Sequence, residues 1–214
     1  MANCNAIVDL SHHNGVVDLV KAKQDGIVGI IQKASQGQAN TDPTYKTNRR
    51  LARDAGLLWG AYHFGTDSDG VMQAEHFLAA ADPEPGDILV LDFEDNPTGP
   101  SMTLEEARAF VTHLREATGC VPGFYSGHTI KRLLGAATDP ILAECWFWLA
   151  QYGPTAVVPA NWASWTLWQY TDGALGPEPH QVAGIGRCDR DRFNGDPAGL
   201  IAFWKGAAVP APDV

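Results

Sequence analysis

A few acidic positions stand out by type and spacing. Asp92 and Glu94 lie two residues apart in Leu91-Asp92-Phe93-Glu94-Asp95, directly after the apolar run Ile88-Leu89-Val90. Side chains alternate along an extended strand, so Asp92 and Glu94 project to one side and Phe93 to the other. Two carboxylates at that spacing repel when both are ionised. One of them therefore keeps its proton toward neutrality and can serve as a general acid. Glycoside cleavage needs that pairing: a proton for the leaving oxygen, and a negative charge or nucleophile at the developing oxocarbenium ion. The competing reading is a solvated acidic loop, because Asp95-Asn96-Pro97 is turn-like.

Three more carboxylates fall at strand ends. Asp9 follows the apolar Ile7-Val8, and Asp189 and Asp191 share a face of Arg187-Cys188-Asp189-Arg190-Asp191. Taken singly, Asp9 is an ordinary cap or turn residue, and the other two are an exposed edge paired with Arg190 or Arg192. Taken together they are harder to dismiss, because the first and last strands of a closed barrel are neighbours. Asp9 and Asp189 then meet beside Asp92 and Glu94, with nothing to neutralise the cluster. His63 ends its own strand and either joins the cluster or hydrogen-bonds within it. Lys33 ends another strand, where it either balances a carboxylate or is solvated. His12 and His13 are adjacent in a loop, a spacing that suits no single metal ion.

These positions require strands to carry them. Apolar runs at Ala6–Leu10, Ile27–Gln32, Leu58–Phe64, Ile88–Phe93 and Val121–Ser126 alternate with helical patterns at Val17–Gln24, from Asp42-Pro43 to Ala55, at Gly70–Ala81, from Thr103 to Gly119 and at Thr129–Leu134. Asp42-Pro43 reads as an N-cap with proline at the first helical position, and Thr103 with Glu106 as a capping box. Gly56 reads as a helix-ending residue. From there the pattern changes: Trp146–Tyr152, Thr166–Tyr170 and Arg187–Arg192 read as strands without strong helices between them. A last helix covers Pro197–Trp204. Five β/α units and three further strands make an α/β barrel of the TIM-like kind, whose site lies where the strands end. A single domain over residues 1–206 is expected, followed by a mobile Ala/Pro-rich tail at 207–214.

Composition narrows the function. The chain has 214 residues, of which 25 are acidic and 15 are Lys or Arg, for a net charge of −10. That balance excludes nucleic acid as a partner and electrostatic docking on an anionic surface. No stretch approaches the roughly 20 apolar residues that span a bilayer, so no membrane association is expected. The first residues carry no basic-then-apolar signal. Seven Trp, five Tyr and eight Phe supply flat rings that suit sugar faces as well as cores. Cys4, Cys120, Cys145 and Cys188 form no C-x-x-C motif, which argues against zinc, and leave any disulfide connectivity open.

The ordered segments Ile7-Val8-Asp9-Leu10-Ser11-His12-His13-Asn14-Gly15, Gln32-Lys33-Ala34-Ser35-Gln36-Gly37, Gly60-Ala61-Tyr62-His63-Phe64 and Leu91-Asp92-Phe93-Glu94 resemble glycoside hydrolase family 25, the Chalaropsis-type lysozymes or N-acetylmuramidases. The resemblance continues through Tyr125-Ser126-Gly127, Trp148-Leu149-Ala150-Gln151-Tyr152 and Trp168-Gln169-Tyr170, and ends at Asp189–Gly195. It implies a flattened (β/α)5(β)3 barrel and hydrolysis, with retention, of the β-1,4 bond from N-acetylmuramic acid to N-acetylglucosamine. It implies Glu94 as proton donor, Asp92 as its partner, and Asp9 and Asp189 completing the acidic site. Tyr62, Tyr125, Trp148 and Trp168 match positions lining the sugar groove, and Lys33, His63, Phe64, Gln151 and Gln169 lie in the same segments as further candidates for substrate binding. Arg190 departs from the pattern, since an apolar residue usually stands between the two aspartates; Asp189 is preferred over Asp191.

No cofactor and no metal are expected, the partner being peptidoglycan glycan strands and the protein a monomer. The site of action is the bacterial cell wall, reached by holin-dependent release, by a secretion apparatus, or as an autolysin. A chitinase-like glycosidase and a metal-dependent barrel deacetylase using Asp9, His63, Asp92 and Glu94 are the competing activities.

Overall fold

The computed structural model describes residues 3–211. Its strands and α-helices run β1 (Cys4–Leu10), α1 (Leu19–Gln24), β2 (Gly29–Gln36), β3 (Asn40–Thr41), α2 (Tyr45–Ala55), β4 (Leu58–Phe64), α3 (Gly70–Ala81), β5 (Ile88–Asp92) and α4 (Leu104–Thr118). They continue with β6 (Gly123–Ser126), α5 (His128–Leu134), β7 (Trp146–Ala150), β8 (Leu167–Thr171), β9 (Gln181–Val182), β10 (Gly186–Arg187), β11 (Asp189–Phe193) and α6 (Pro197–Ala207).

Eight of the strands close into a barrel. β1, β2, β4, β5, β6, β7 and β8 run parallel in that order. β11 closes the ring antiparallel to both β8 and β1. Helices α1 to α5 fill the five connections between β1 and β7, while β7, β8 and β11 follow one another without an intervening α-helix. This is the expected (β/α)5(β)3 layout. The short strands β3, β9 and β10 are additions, each too brief to leave a periodic signal.

Alternation divides the apolar side chains into two cores. Val8, Leu10, Leu89, Leu91, Phe93, Phe124, Phe147 and Leu149 face outward and pack with the helices through Ala74, Phe77, Phe110 and Leu114. Ile7, Ile31, Ile88, Val90, Trp146, Trp148, Leu167 and Phe193 face inward and fill the barrel. Helix α6 closes the bottom. Its Trp204 is buried among the inward residues and donates its indole N–H to the Trp59 carbonyl at 3.1 Å. Gly29 makes room for that ring, since a Cβ there would lie 2.9 Å from Trp204. Gly123 does the same for Trp146, whose ring would come within 2.3 Å of a Cβ.

Local chemistry explains most helix ends. Thr103 and Glu106 form the expected capping box, and Gly56 ends α2 in the left-handed region at φ +65°. Asp42 is not an N-cap, however. Helix α2 starts at Tyr45, and the Asp42 carboxylate accepts from the Thr44 N–H (2.9 Å), the Thr44 hydroxyl (2.6 Å) and the His12 N–H (2.8 Å). It ties the turn before α2 to the loop after β1 instead of capping the helix. The expected mobile tail is also corrected in its first part. Ala207 and Ala208 are buried, and Val209 exchanges backbone hydrogen bonds with Asp87 (2.9 Å) and Gly86 (3.0 Å). Residues 212–214 lie outside the described residues. Cys4, Cys120, Cys145 and Cys188 are all free thiols.

Candidate active site

At the end of the barrel opposite α6, the inward face changes from apolar to polar. One further step along β1, past Ile7, brings Asp9; past Val90 on β5 come Asp92 and then Glu94. Tyr125 on β6 is in register with Asp92 and with Trp148 on β7, while Tyr62 on β4 and Gln169 on β8 reach the same mouth. Parallel strands deliver these residues at their C-terminal ends. β11 runs the other way, so its first residue reaches the mouth, and Asp189 pairs in register with Asp9. Asp9, Tyr62, Asp92, Glu94, Tyr125, Trp148, Tyr152, Gln169 and Asp189 line one pocket of about 480 Å³.

Asp191 lies one layer deeper on the same inward face. It is fully buried, and its Oδ1 accepts the Trp148 indole N–H at 2.6 Å. Its charge bears on the Asp9 carboxyl above it. Asp9 in turn accepts from Gln169 Nε2 at 2.9 Å, and Gln169 Oε1 accepts from the Tyr125 hydroxyl at 2.9 Å. Two hydrogen-bonded runs, Trp148–Asp191 and Asp9–Gln169–Tyr125, therefore underlie the pocket. Asp189, the aspartate preferred from the sequence, lines the pocket, and Asp191 is buried beneath it.

Five carboxyl groups in one barrel mouth cannot all ionise. Burial, then the Asp191 charge, pushes Asp9 well above the usual carboxylate range. Burial and Glu94 do the same to Asp92. Glu94 is raised by burial, against the opposing pull of the Lys33 ammonium. Asp189 is pushed up to about 8 by partial burial and the facing Asp9 charge, as is Asp191 by its burial. Asp92 Oδ1 is buried and accepts no hydrogen bond from any group among the described residues. The arrangement offers a protonated acid at neutral pH beside carboxyl oxygens ready for a polar ligand.

The remaining sequence candidates fall elsewhere. His63 faces outward, because it follows the inward Tyr62. It is fully buried between β4 and the helices, bonded to Ser35 Oγ (2.8 Å) and Gln73 Oε1 (3.2 Å) and stacked on Phe110. Burial holds its pKa down to about 3, so it is a neutral core residue and not a site residue. Trp168 also points outward, between the inward Leu167 and Gln169. It packs on Trp165 and donates its N–H to the Gln151 carbonyl at 2.6 Å, which removes it from the groove. Lys33 and Phe64 stand beside the pocket without lining it, the ammonium 4.9 Å from the Phe64 ring and donating to Gln36 Oε1 at 2.7 Å. Gln151 lines an adjoining cleft. Tyr152 is the pocket residue not singled out from the sequence. It continues the inward series Trp146, Trp148, Ala150, and that alternation was the signal available.

A closed (β/α)5(β)3 barrel with paired carboxyls beyond one strand and aromatic walls around them has the architecture of a barrel glycoside hydrolase. The comparisons with known proteins specify which. Residues 8–177 match the model of glycosyl hydrolases family 25, and the chain belongs to that family. It is 29% identical to lysozyme M1 of Streptomyces globisporus, over 94% of this chain and 71% of that protein. Among solved structures, the bacterial lysozyme of Streptomyces coelicolor superposes with a TM-score of 0.84 at 27% identity, covering 97% of this chain and all of that one. A family GH25 lysozyme from Aspergillus fumigatus gives 0.82 at 28%, covering 96% of this chain and 100% of that one.

Proposed function

We propose that this protein is a peptidoglycan hydrolase, a lysozyme that cleaves the β-1,4 bond between N-acetylmuramic acid and N-acetylglucosamine with retention. The observation that carries this reading is the placement of Asp92 and Glu94 on one inward face at the mouth of a family 25 barrel, inside an acidic, aromatic-walled pocket. Glu94 donates its proton to the leaving glycosidic oxygen, in keeping with a pKa raised by burial. As the bond breaks, the substrate's 2-acetamido carbonyl oxygen attacks C1 from the opposite face and forms a cyclic oxazolinium ion. Asp92 supports that step: Asp92 and Glu94 share one proton, and with it on Glu94 the Asp92 carboxylate, whose Oδ1 has no hydrogen-bond partner among the described residues, accepts the acetamido N–H and offsets the positive charge that develops. Glu94, now ionised, takes a proton from water, which opens the ring at C1 and restores the original configuration. Asp9 and Asp189 complete the acidic wall, while Tyr62, Tyr125 and Trp148 hold the sugar.

The competing deacetylase reading loses its only nitrogen ligand, because His63 is turned into the helical layer. Among the described residues no helix is long and apolar enough to cross a membrane. The protein acts on cell-wall glycan as a monomer and needs no cofactor; phage-type release and a secretion apparatus are both compatible routes to the wall.

The test is digestion of purified peptidoglycan with mass spectrometry of the products. Wild type should release fragments with muramic acid at the reducing end and leave chitin oligomers largely uncut. Glu94→Gln should lower the rate by at least about a thousandfold, the scale expected for losing a general acid, with an unchanged circular dichroism spectrum. Asp92→Asn should lose most activity as well. Glucosamine reducing ends, or a Glu94→Gln enzyme as active as wild type, would overturn the assignment.

A further inference from the structure

A second cleft adjoins the acidic pocket and shares Glu94, Tyr125 and Tyr152 with it. It is open to solvent, and Asp95, Lys131 and Gln151 are also on its wall. Lys131 is the informative residue. It is half-buried on α5, and Nζ donates one hydrogen bond, to Gln151 Oε1 at 2.6 Å. An ammonium has three N–H donors, so two remain for something else in the cleft. The amide that holds it is fixed in turn: Gln151 Nε2 donates to the Thr155 carbonyl at 2.7 Å, and the Gln151 carbonyl accepts from Trp168.

The neighbouring acids do not satisfy this cation. Asp95 is ion-paired with Arg132 at 2.6 Å, and no carboxylate among the described residues lies within salt-bridge distance of Lys131. Burial lowers its pKa, with no opposing charge to restore it. A partly desolvated lysine without a counter-ion, anchored by a fixed amide beside the proton donor, is a placed recognition group for an anion.

Resting on the muramidase reading above, we propose that the Lys131 cleft is a subsite for a carboxylate carried by the glycan next to the scissile bond. Two sources have that chemistry: the free lactyl carboxylate of a muramic acid, and a carboxylate of a peptide attached to it. Chitin carries neither, so Lys131 contributes to selection of muramyl glycan over neutral N-acetylglucosamine polymers.

The experiment uses three glycan substrates: strands bearing peptides, strands stripped of peptide so that the lactyl carboxylate is free, and stripped strands whose lactyl carboxylates are methyl-esterified. Wild type is compared with Lys131→Met and Lys131→Arg. Wild type should cleave at least one anionic substrate with a kcat/KM about tenfold above that of the ester, the effect of one charge-assisted contact. Lys131→Met should erase that preference through KM with little change in kcat, and Lys131→Arg should retain much of it. Preference for the stripped strands identifies the lactyl carboxylate as the ligand, and preference for the peptide-bearing strands alone identifies the peptide. Equal cleavage of ester and acids by wild type, or a Lys131→Met enzyme that keeps the preference, would overturn the subsite while leaving muramidase activity intact. If wild type cleaves none of the three, the muramidase reading itself fails, and the subsite with it.

Discussion

At the scale of single residues, the site depends on groups that never touch substrate. Asp191 is fully buried, pushed up to about 8 by that burial, and held by one donor, the Trp148 indole. Trp148→Phe keeps an aromatic ring in the barrel but leaves Asp191 Oδ1 without its donor. A buried acceptor stripped of its partner costs about 1–3 kcal/mol, so the variant should unfold at correspondingly lower urea concentration. It should also bind substrate more weakly, because Trp148 is itself on the pocket wall. A urea midpoint within error of wild type would show that the indole contact adds nothing. The carboxylates themselves were legible from sequence, since Asp92 and Glu94 announce their shared face by spacing alone. Depth was not. Asp189 and Asp191 lie on one face of one strand, and only the direction of β11, antiparallel to its neighbours, places the first at the mouth and the second beneath it.

At the scale of elements, the barrel was readable because its strands are apolar runs separated by capped helices. Thr103 with Glu106 and Gly56 behave as their residue types demand. What escaped was facing. His63 and Trp168 sit in the right segments, yet each is one residue off the inward register, and a one-residue step turns a side chain from the groove into the helical layer. Their families of neighbours, Gln73 and Phe110 for one, Trp165 for the other, come from distant parts of the chain and leave no local mark. Helix α6 was legible as a helix but not as the plug of the barrel. Trp204 should therefore be a stability residue remote from the chemistry. Trp204→Ala should cost about 3–5 kcal/mol, as large-to-small changes of buried aromatic residues do, while kcat at a temperature where the variant is folded stays close to wild type. A variant of normal stability, or one that is folded yet inactive, would contradict that division of labour between the two ends of the barrel.

At the scale of the whole molecule, the acidic mouth and the buried histidine set opposite pH dependences. Asp189 and Asp191 are raised to about 8 in the folded state, and Asp9 and Asp92 are raised as well. Raised acids contribute most below their unfolded value of about 4. As pH climbs toward 8 the unfolded chain has released protons that the folded chain retains, and stability falls. His63 works the other way. Its folded pKa is about 3, so below its unfolded value of about 6.5 the unfolded chain gains a proton that the folded chain refuses, and stability falls as the solution is acidified. Several acids outweigh one imidazole between about pH 4 and 6.5, which places maximum stability on the acid side of neutrality, near about pH 4–5. The melting temperature should thus rise by several degrees from pH 8 down to about pH 5 and turn over below that. Asp191→Asn should flatten the alkaline limb by removing one of the groups that resists ionisation, with the larger gain over wild type at pH 8 and the smaller at about pH 5. A profile that rises from pH 5 to 8, or an Asp191→Asn variant that melts lower at pH 8 than at 5 by the same margin as wild type, would mean that the barrel mouth does not hold its protons as the geometry requires.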